Sequence, residues 1–326
     1  MSITRRTMRG TAAAAMATPA VAQSCEIGPP KHEKGPLVFM DYDQVELDAA
    51  YKQELYQPAG LGQRVQDRLT VASGDARDHV GEPLRQRYGT ADMETLDIYR
   101  TDRAKAPIFV FIHGGTWRFG SAWDAGFPAE MFLKAGAHYV AIDFDSVTDV
   151  NGDLGVLAAQ VRRAIAWVHR NAASFDGDSA RLYIGGHSSG GHLCAVALVT
   201  DWQAEFDLPV DAIKGGLCMS GMYEMEPVRL SYRREYIAFT DEMADAMSPQ
   251  RHIAKLAAPI VVSYGTFETP EFQRQARDFA AAITAAGKPI KRIQADYHHD
   301  EMAETLGNPY GANGRAALAM MGLGKA

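Results

Sequence analysis

The chain has 326 residues, 47% of them hydrophobic and 22% charged, with a net charge of −7. That is the composition of a globular protein long enough for one large α/β domain. The sequence holds no apolar run of 18 residues and no basic block, so neither a membrane span nor a nucleic-acid partner is expected.

The first 22 residues read as an export address. Arg5-Arg6 precedes a weakly apolar, Ala-rich stretch that ends in Ala20-Val21-Ala22, an A-x-A cleavage signature. A twin arginine before such a stretch predicts folded export to the periplasm. The expected domains are therefore a twin-arginine signal at 1–22 and a single large α/β domain at 23–326; an uncleaved segment would leave the protein cytoplasmic. Removing residues 1–22 takes away Arg5, Arg6 and Arg9 and no acid, and brings the charge to −10. Of the three cysteines, Cys194 and Cys218 fall in apolar segments and read as buried thiols. Cys25 follows the cleavage signature, but Ala22-Gln23-Ser24 is a poor lipobox. Three cysteines make no disulfide framework.

Residues 25 to 36 read as a linker, and the spacing of Val45, Leu47, Tyr51 and Leu55 predicts a helix over Asp43 to Tyr56. Leu69 to Ala72 and Leu96 to Tyr99 are short strand candidates. Ile108 to Ile112 is a continuous β-rich run, as a strand covered on both faces requires. A helix near Ala129 to Ala135 and a strand at Tyr139 to Ile142 follow. Leu154 to Ala173 carries Leu157, Val161, Ile165 and Val168 along one helical face. Further strands are predicted at Leu182 to Ile184, Ile213 to Met219, Pro259 to Tyr264 and Ile290 to Ala295. Helices are predicted at His192 to Thr200, Phe272 to Ala286 and Gly314 to Met321. Alternating strands and helices mean an α/β fold: a doubly wound, mostly parallel sheet with helices on both faces. Chemistry then belongs at the carboxyl ends of the strands.

Two motifs sit there. Gly186-His187-Ser188-Ser189-Gly190 fits G-x-S-x-G between a strand and a helix, the setting in which a sharp turn lifts a serine hydroxyl above the sheet. His113-Gly114-Gly115-Thr116-Trp117 follows the strand that ends at Ile112. Its glycines let backbone N–H groups turn inward, and a carbonyl under attack needs such donors. The N–H groups of Gly115, Thr116 and Ser189 are the candidate oxyanion hole. Ser188 is the candidate nucleophile; His187 reads as a packed histidine.

Triads of this type run Ser, acid, His along the chain. Tyr297-His298-His299-Asp300-Glu301 follows the last predicted strand, and the residues alone leave both histidines open as base. The acid belongs after Pro259 to Tyr264. Glu268 lies in that loop, whereas Glu271 follows Pro270 and reads as a helix-start carboxylate; Glu268 is the candidate. No HExxH or CxxC spacing appears, so no metal and no other cofactor is expected. Trp117, Phe119 and Tyr223 follow strand ends and are the candidate lining of an apolar, aromatic pocket.

Together these residues resemble bacterial α/β-hydrolases of the kynurenine formamidase-like (arylformamidase-like) group, next to the hormone-sensitive-lipase type of esterase. The resemblance runs from about Asp41 to Gly322. It rests on Tyr42 to Asp48, Leu96 to Tyr99, HGGxW at His113 to Trp117 and the elbow. It continues through Ser220 to Tyr223, Glu268 to Phe272, and His299 to Gly311. The group often reads Asn-His-Phe-Glu at its catalytic histidine. Aligning that Glu with Glu301 implies His299 as base, with His298 where the group has Asn. Its usual Asp before Ser-Pro-Glu-Phe is replaced here by Glu268. The resemblance implies acyl transfer to water on a small-molecule ester or amide. Tryptophan catabolism is cytoplasmic, so an exported relative is not expected to act on N-formylkynurenine. The expected reaction is hydrolysis of small or aromatic carboxylic esters. The alternatives are an aryl-amide or formamide hydrolase, and a non-catalytic ligand-binding protein on the same fold.

Overall fold

A computed structural model describes residues 27–324. The expected signal segment and Cys25 lie outside the described residues. Ten strands appear in chain order: β1 (Leu37–Phe39), β2 (Tyr42–Asp43), β3 (Leu84–Arg87), β4 (Thr95–Tyr99), β5 (Ala106–Ile112), β6 (His138–Ile142), β7 (Gly177–His187), β8 (Gly216–Met219), β9 (Ile260–Gly265) and β10 (Ile290–Ala295). The first two form a small ribbon. The other eight form one sheet in the order β10-β9-β8-β7-β5-β6-β4-β3. Strands β5 to β10 are mutually parallel. At one edge β4 runs antiparallel to β6 and to β3.

Alternation along β5 explains the two-sided core. Ile108, Val110 and Ile112 face the helix Leu154–Asn171, whose Leu157, Val161, Ile165 and Val168 meet them. Phe109 and Phe111 face the opposite layer, where Phe109 stacks on Phe132 at 4.5 Å between ring centres. Every residue of β5 is buried, as the unbroken apolar run requires.

Three readings differ from the structure. Leu69 to Ala72 is not a strand but the middle of a 20-residue helix, Leu61–Val80. Its local run suits a strand, yet Leu61, Val65 and Ala76 are buried along one helical side and Val71 is left exposed. The helix expected over Asp43 to Tyr56 ends at Ala49, with a separate 3-10 turn at Gln53–Leu55. Its start is firm: Asp43 accepts from the Glu46 N–H while the Glu46 carboxylate accepts from the Asp43 N–H. Strand β3 was not foreseen, because its Arg-Gln-Arg lies on an exposed edge and carries no apolar signal. Between Met222 and Pro259 lie short helices at Glu226–Leu230 and Asp241–Ala246 and 3-10 turns at Tyr232–Glu235 and Pro249–Lys255. No helix among the described residues is long and apolar enough to cross a membrane.

Candidate active site

Strand β7 delivers Ser188 at φ 57°, ψ −121°, a strained backbone for a non-glycine residue. The helix Ser189–Leu198 begins at once, so Ser189 opens it where N–H groups lack intrahelical acceptors. Such a tight reversal needs a small residue behind it: a Cβ on Gly190 would stand 2.1 Å from the Ile112 carbonyl oxygen. The elbow is thereby wedged against the end of β5, where the HGG loop starts.

That loop is strained too. Gly115 has φ 114°, and Thr116 and Trp117 have φ 58° and 61°. The Gly115 carbonyl turns away to accept from the N–H groups of Arg118 and Phe119, both at 2.9 Å. Among the described residues, the N–H groups of Gly115 and Thr116 have no protein acceptor. Uncommitted N–H donors on Gly115 and Thr116, in the cleft that Ser188 also lines, suit an oxyanion.

The structure brings Ser188, His299 and Glu268 together. His299 Nε2 lies 2.8 Å from Ser188 Oγ, and His299 Nδ1 lies 3.1 Å from Glu268 Oε2. Both His299 and Glu268 are buried. The other Glu268 oxygen, Oε1, accepts from the Ser220 hydroxyl at 2.6 Å and from the Gly265 N–H at 2.7 Å. These two donors were missed in the sequence, where Ser220 was noted only as part of a resembling tetrapeptide. Ser220 holds φ 51° after β8, and its N–H donates to the Ser263 carbonyl.

The neighbouring candidates are occupied elsewhere. His298 sits at the start of the helix His299–Glu304, with Nδ1 2.9 Å from Glu301. Glu271 makes a two-bond ion pair with Arg274, each bond 2.7 Å, and accepts from the Tyr51 hydroxyl at 3.2 Å. His187 Nε2 donates to the His299 carbonyl at 2.9 Å. Burial, and then the nearby His299, push the His187 pKa down to about 3, so it stays neutral and holds the backbone of the candidate base. His192 is likewise pushed down to about 4 by burial.

Ser188 and His299 open onto a cleft of about 650 Å³. Phe119 lines it, as expected. Trp117 and Tyr223 do not, and their assignment to the pocket is corrected. Trp117 is turned into the core, where its Nε1 donates to His192 at 3.1 Å. Its left-handed backbone swings the ring away from the loop surface. Tyr223 is fully buried and stacked on Phe279 at 4.3 Å. The cleft wall is instead more polar than the aromatic content of the loops implied, with Gln53, Gln57, Gln63, Gln66 and Arg233 on it. Away from the cleft, His32, Asp43 and Glu46 come close enough to bind a cation, but they are engaged with one another and with Lys34 in the helix cap.

The sheet order and the strained serine turn between β7 and its helix define the class: this is an α/β-hydrolase. A family profile described as BD-FAE matches residues 96–217. Kynurenine formamidase of Danio rerio is 33% identical over 210 residues, covering 62% of this chain and 69% of that protein. Esterase LipC of Mycobacterium tuberculosis is 28% identical over 237 residues, covering 65% of this chain and 57% of that protein. The solved structure of esterase LipW from Mycobacterium marinum superposes with a TM-score of 0.63 at 17% identity, covering 80% of this chain and 87% of that one. The chain belongs to the kynurenine formamidase-like family of α/β-hydrolases, within reach of the hormone-sensitive-lipase-type esterases.

Proposed function

We propose that the protein is a serine hydrolase that cleaves small or aromatic carboxylic esters through a Ser188 acyl-enzyme. The observation that carries this reading is the unbroken line from Glu268 Oε2 through His299 to Ser188 Oγ, with bonds of 3.1 and 2.8 Å, at the mouth of a cleft. In this reading Ser188 Oγ attacks the carbonyl carbon and gives its proton to His299 Nε2. The carbonyl oxygen becomes an oxyanion held by the N–H groups of Gly115, Thr116 and Ser189. Collapse breaks the bond to the leaving oxygen, which takes the proton from His299. Water then attacks the acyl-enzyme, passing a proton to His299, and the acid departs as the proton returns to Ser188. Glu268 stays ionised and steadies the imidazolium. Esterase relatives such as LipC support ester hydrolysis.

A second reading, aryl-amide or formamide hydrolysis, is favoured by the kynurenine formamidases among the relatives. The two separate on leaving-group chemistry. An ester alkoxide leaves readily, whereas an amine must be protonated first by a His299 aimed at nitrogen. Short-chain aryl esters are expected to give a kcat/KM well above that of the matching anilides and N-formyl anilines at one pH. Formanilide turnover equal to ester turnover would select the amidase. A fluorophosphonate probe addresses the third reading, since a silent ligand-binding protein would not be labelled.

We also propose export. The expected mature protein begins near Gln23 and lies in the periplasm, on the strength of Arg5-Arg6 and Ala20-Val21-Ala22. N-terminal sequencing from the native host checks this. A cytoplasmic protein starting at Met1 or Ser2 would refute it and return N-formylkynurenine as a candidate substrate.

A further inference from the structure

We propose that the cleft contains an anion subsite built on Arg233, and that the substrate cleaved at Ser188 carries a carboxylate. This deepens the serine-hydrolase reading and rests on it.

Arg233 lies in the 3-10 turn Tyr232–Glu235, and it lines the same cleft as Ser188 and His299. It is only 2% exposed. A guanidinium is always charged and offers five N–H donors. Here Nη1 donates to the Tyr236 hydroxyl at 2.6 Å and Nη2 to the Tyr51 carbonyl at 3.3 Å. Both acceptors are neutral. Nε is buried and has no acceptor. Among the described residues no carboxylate forms an ion pair with Arg233. Three acids also line the cleft: Glu54, which is exposed, Asp124, which is bonded to Ser121, and Asp300 beside His299.

Arg274 shows what a satisfied arginine looks like in this protein: it faces Glu271 through two parallel bonds. Arg233 has the burial without the partner. The rings of Tyr51, Trp117 and Tyr232 stand 5.9, 5.4 and 5.5 Å from its guanidinium carbon. Aromatic faces ease the burial of a cation, but they leave its in-plane N–H donors wanting acceptors. A charge held out of water without a counter-charge is costly, and a carboxylate is the group whose two oxygens match the fork.

A second donor points the same way. Gln53 Nε2 also lines the cleft, buried and without an acceptor. Gln57 Oε1 is likewise buried and unpaired, and its amide can be turned to present N–H instead. An unfilled amide donor in the same cleft as an unpaired cation fits an anionic, oxygen-rich group.

Two pairs of esters test this and locate the charge. One pair puts it on the acyl half: 4-nitrophenyl hydrogen adipate against 4-nitrophenyl methyl adipate. The other puts it on the leaving half: 4-acetoxybenzoate against its methyl ester. Spontaneous rates are subtracted. The acid of at least one pair is expected to show a kcat/KM roughly tenfold or more above its neutral partner, the size of a charge-assisted bond. Arg233→Gln should collapse that ratio through KM, and Arg233→Lys should restore part of it. Arg233 also ties down Tyr51 and Tyr236, so the wild-type protein supplies an independent arm. Benzoate and hexanoate should inhibit 4-nitrophenyl acetate hydrolysis at roughly tenfold lower concentration than benzamide and hexanamide. Equal rates within both pairs, or equal inhibition by acids and amides, would overturn the subsite and leave Ser188 untouched. Failure to turn over any of the esters, with no fluorophosphonate labelling, would instead sink the hydrolase reading beneath it.

Discussion

Ser188→Ala is expected to lower kcat by roughly 10³ to 10⁶ and leave a folded protein. The loss follows from removing the proposed nucleophile. Ser188 Oγ is 2.8 Å from His299 Nε2, and no other hydroxyl contacts that nitrogen among the described residues. Survival of the fold follows from what is kept. Alanine retains the Cβ and the backbone at φ 57°, so the strain of the turn is unchanged. The Ser188 N–H still donates to the Met219 carbonyl, and its carbonyl still accepts from His192. Circular dichroism and thermal melting should match the parent, while fluorophosphonate labelling disappears. A folded variant with near-normal turnover would dismiss Ser188 as nucleophile and the whole relay with it.

The ease with which this serine is found reflects how local its signal is. A strand, five residues and a helix suffice, because the turn constrains its own neighbours: Gly186 and Gly190 are small where backbone crowds backbone. The HGG loop is legible for the same reason. Strand β5 is legible because Ile108 to Ile112 is an unbroken run of β-branched and aromatic residues bounded by Pro107 and the HGG glycines. The edge strand β3, with three polar residues in a row, has no such signature, and its place depends on pairing with β4 across the chain. Leu69 to Ala72 misled because four residues cannot report the burial of Leu61 and Ala76 around them.

The pocket was the least legible part. Trp117 and Tyr223 were placed by their position after strands, but direction depends on backbone dihedrals that a sequence does not display. Trp117 at φ 61° turns inward to His192. The groups that do line the cleft, Gln53, Gln57 and Arg233, come from segments more than 170 residues apart in the chain. Nothing in the local sequence marks Arg233. Only the fold shows that it is buried and lacks a carboxylate.

The relay itself gives the second large effect. His299→Ala is expected to approach the loss expected for Ser188→Ala, and His298→Ala to cost far less, since His298 bonds Glu301 rather than Ser188. Glu268→Gln is expected to lower kcat by roughly 10² to 10⁴. Its cause can be followed atom by atom. The Ser220 hydroxyl and the Gly265 N–H both donate to Oε1, so that position must keep an acceptor. The glutamine oxygen therefore takes it, and the new NH₂ falls where Oε2 stood, facing His299 Nδ1. A donor there forces the imidazole to accept at Nδ1 and carry its proton on Nε2. Nε2 then cannot take the proton of Ser188, although no distance has changed. Glu271→Gln should do the opposite: activity falls little, but stability drops because the buried pair with Arg274 loses its charge. Paired kcat and melting measurements on the four variants decide the matter. A greater kcat loss in Glu271→Gln than in Glu268→Gln, or in His298→Ala than in His299→Ala, would overturn the assignment of acid or base.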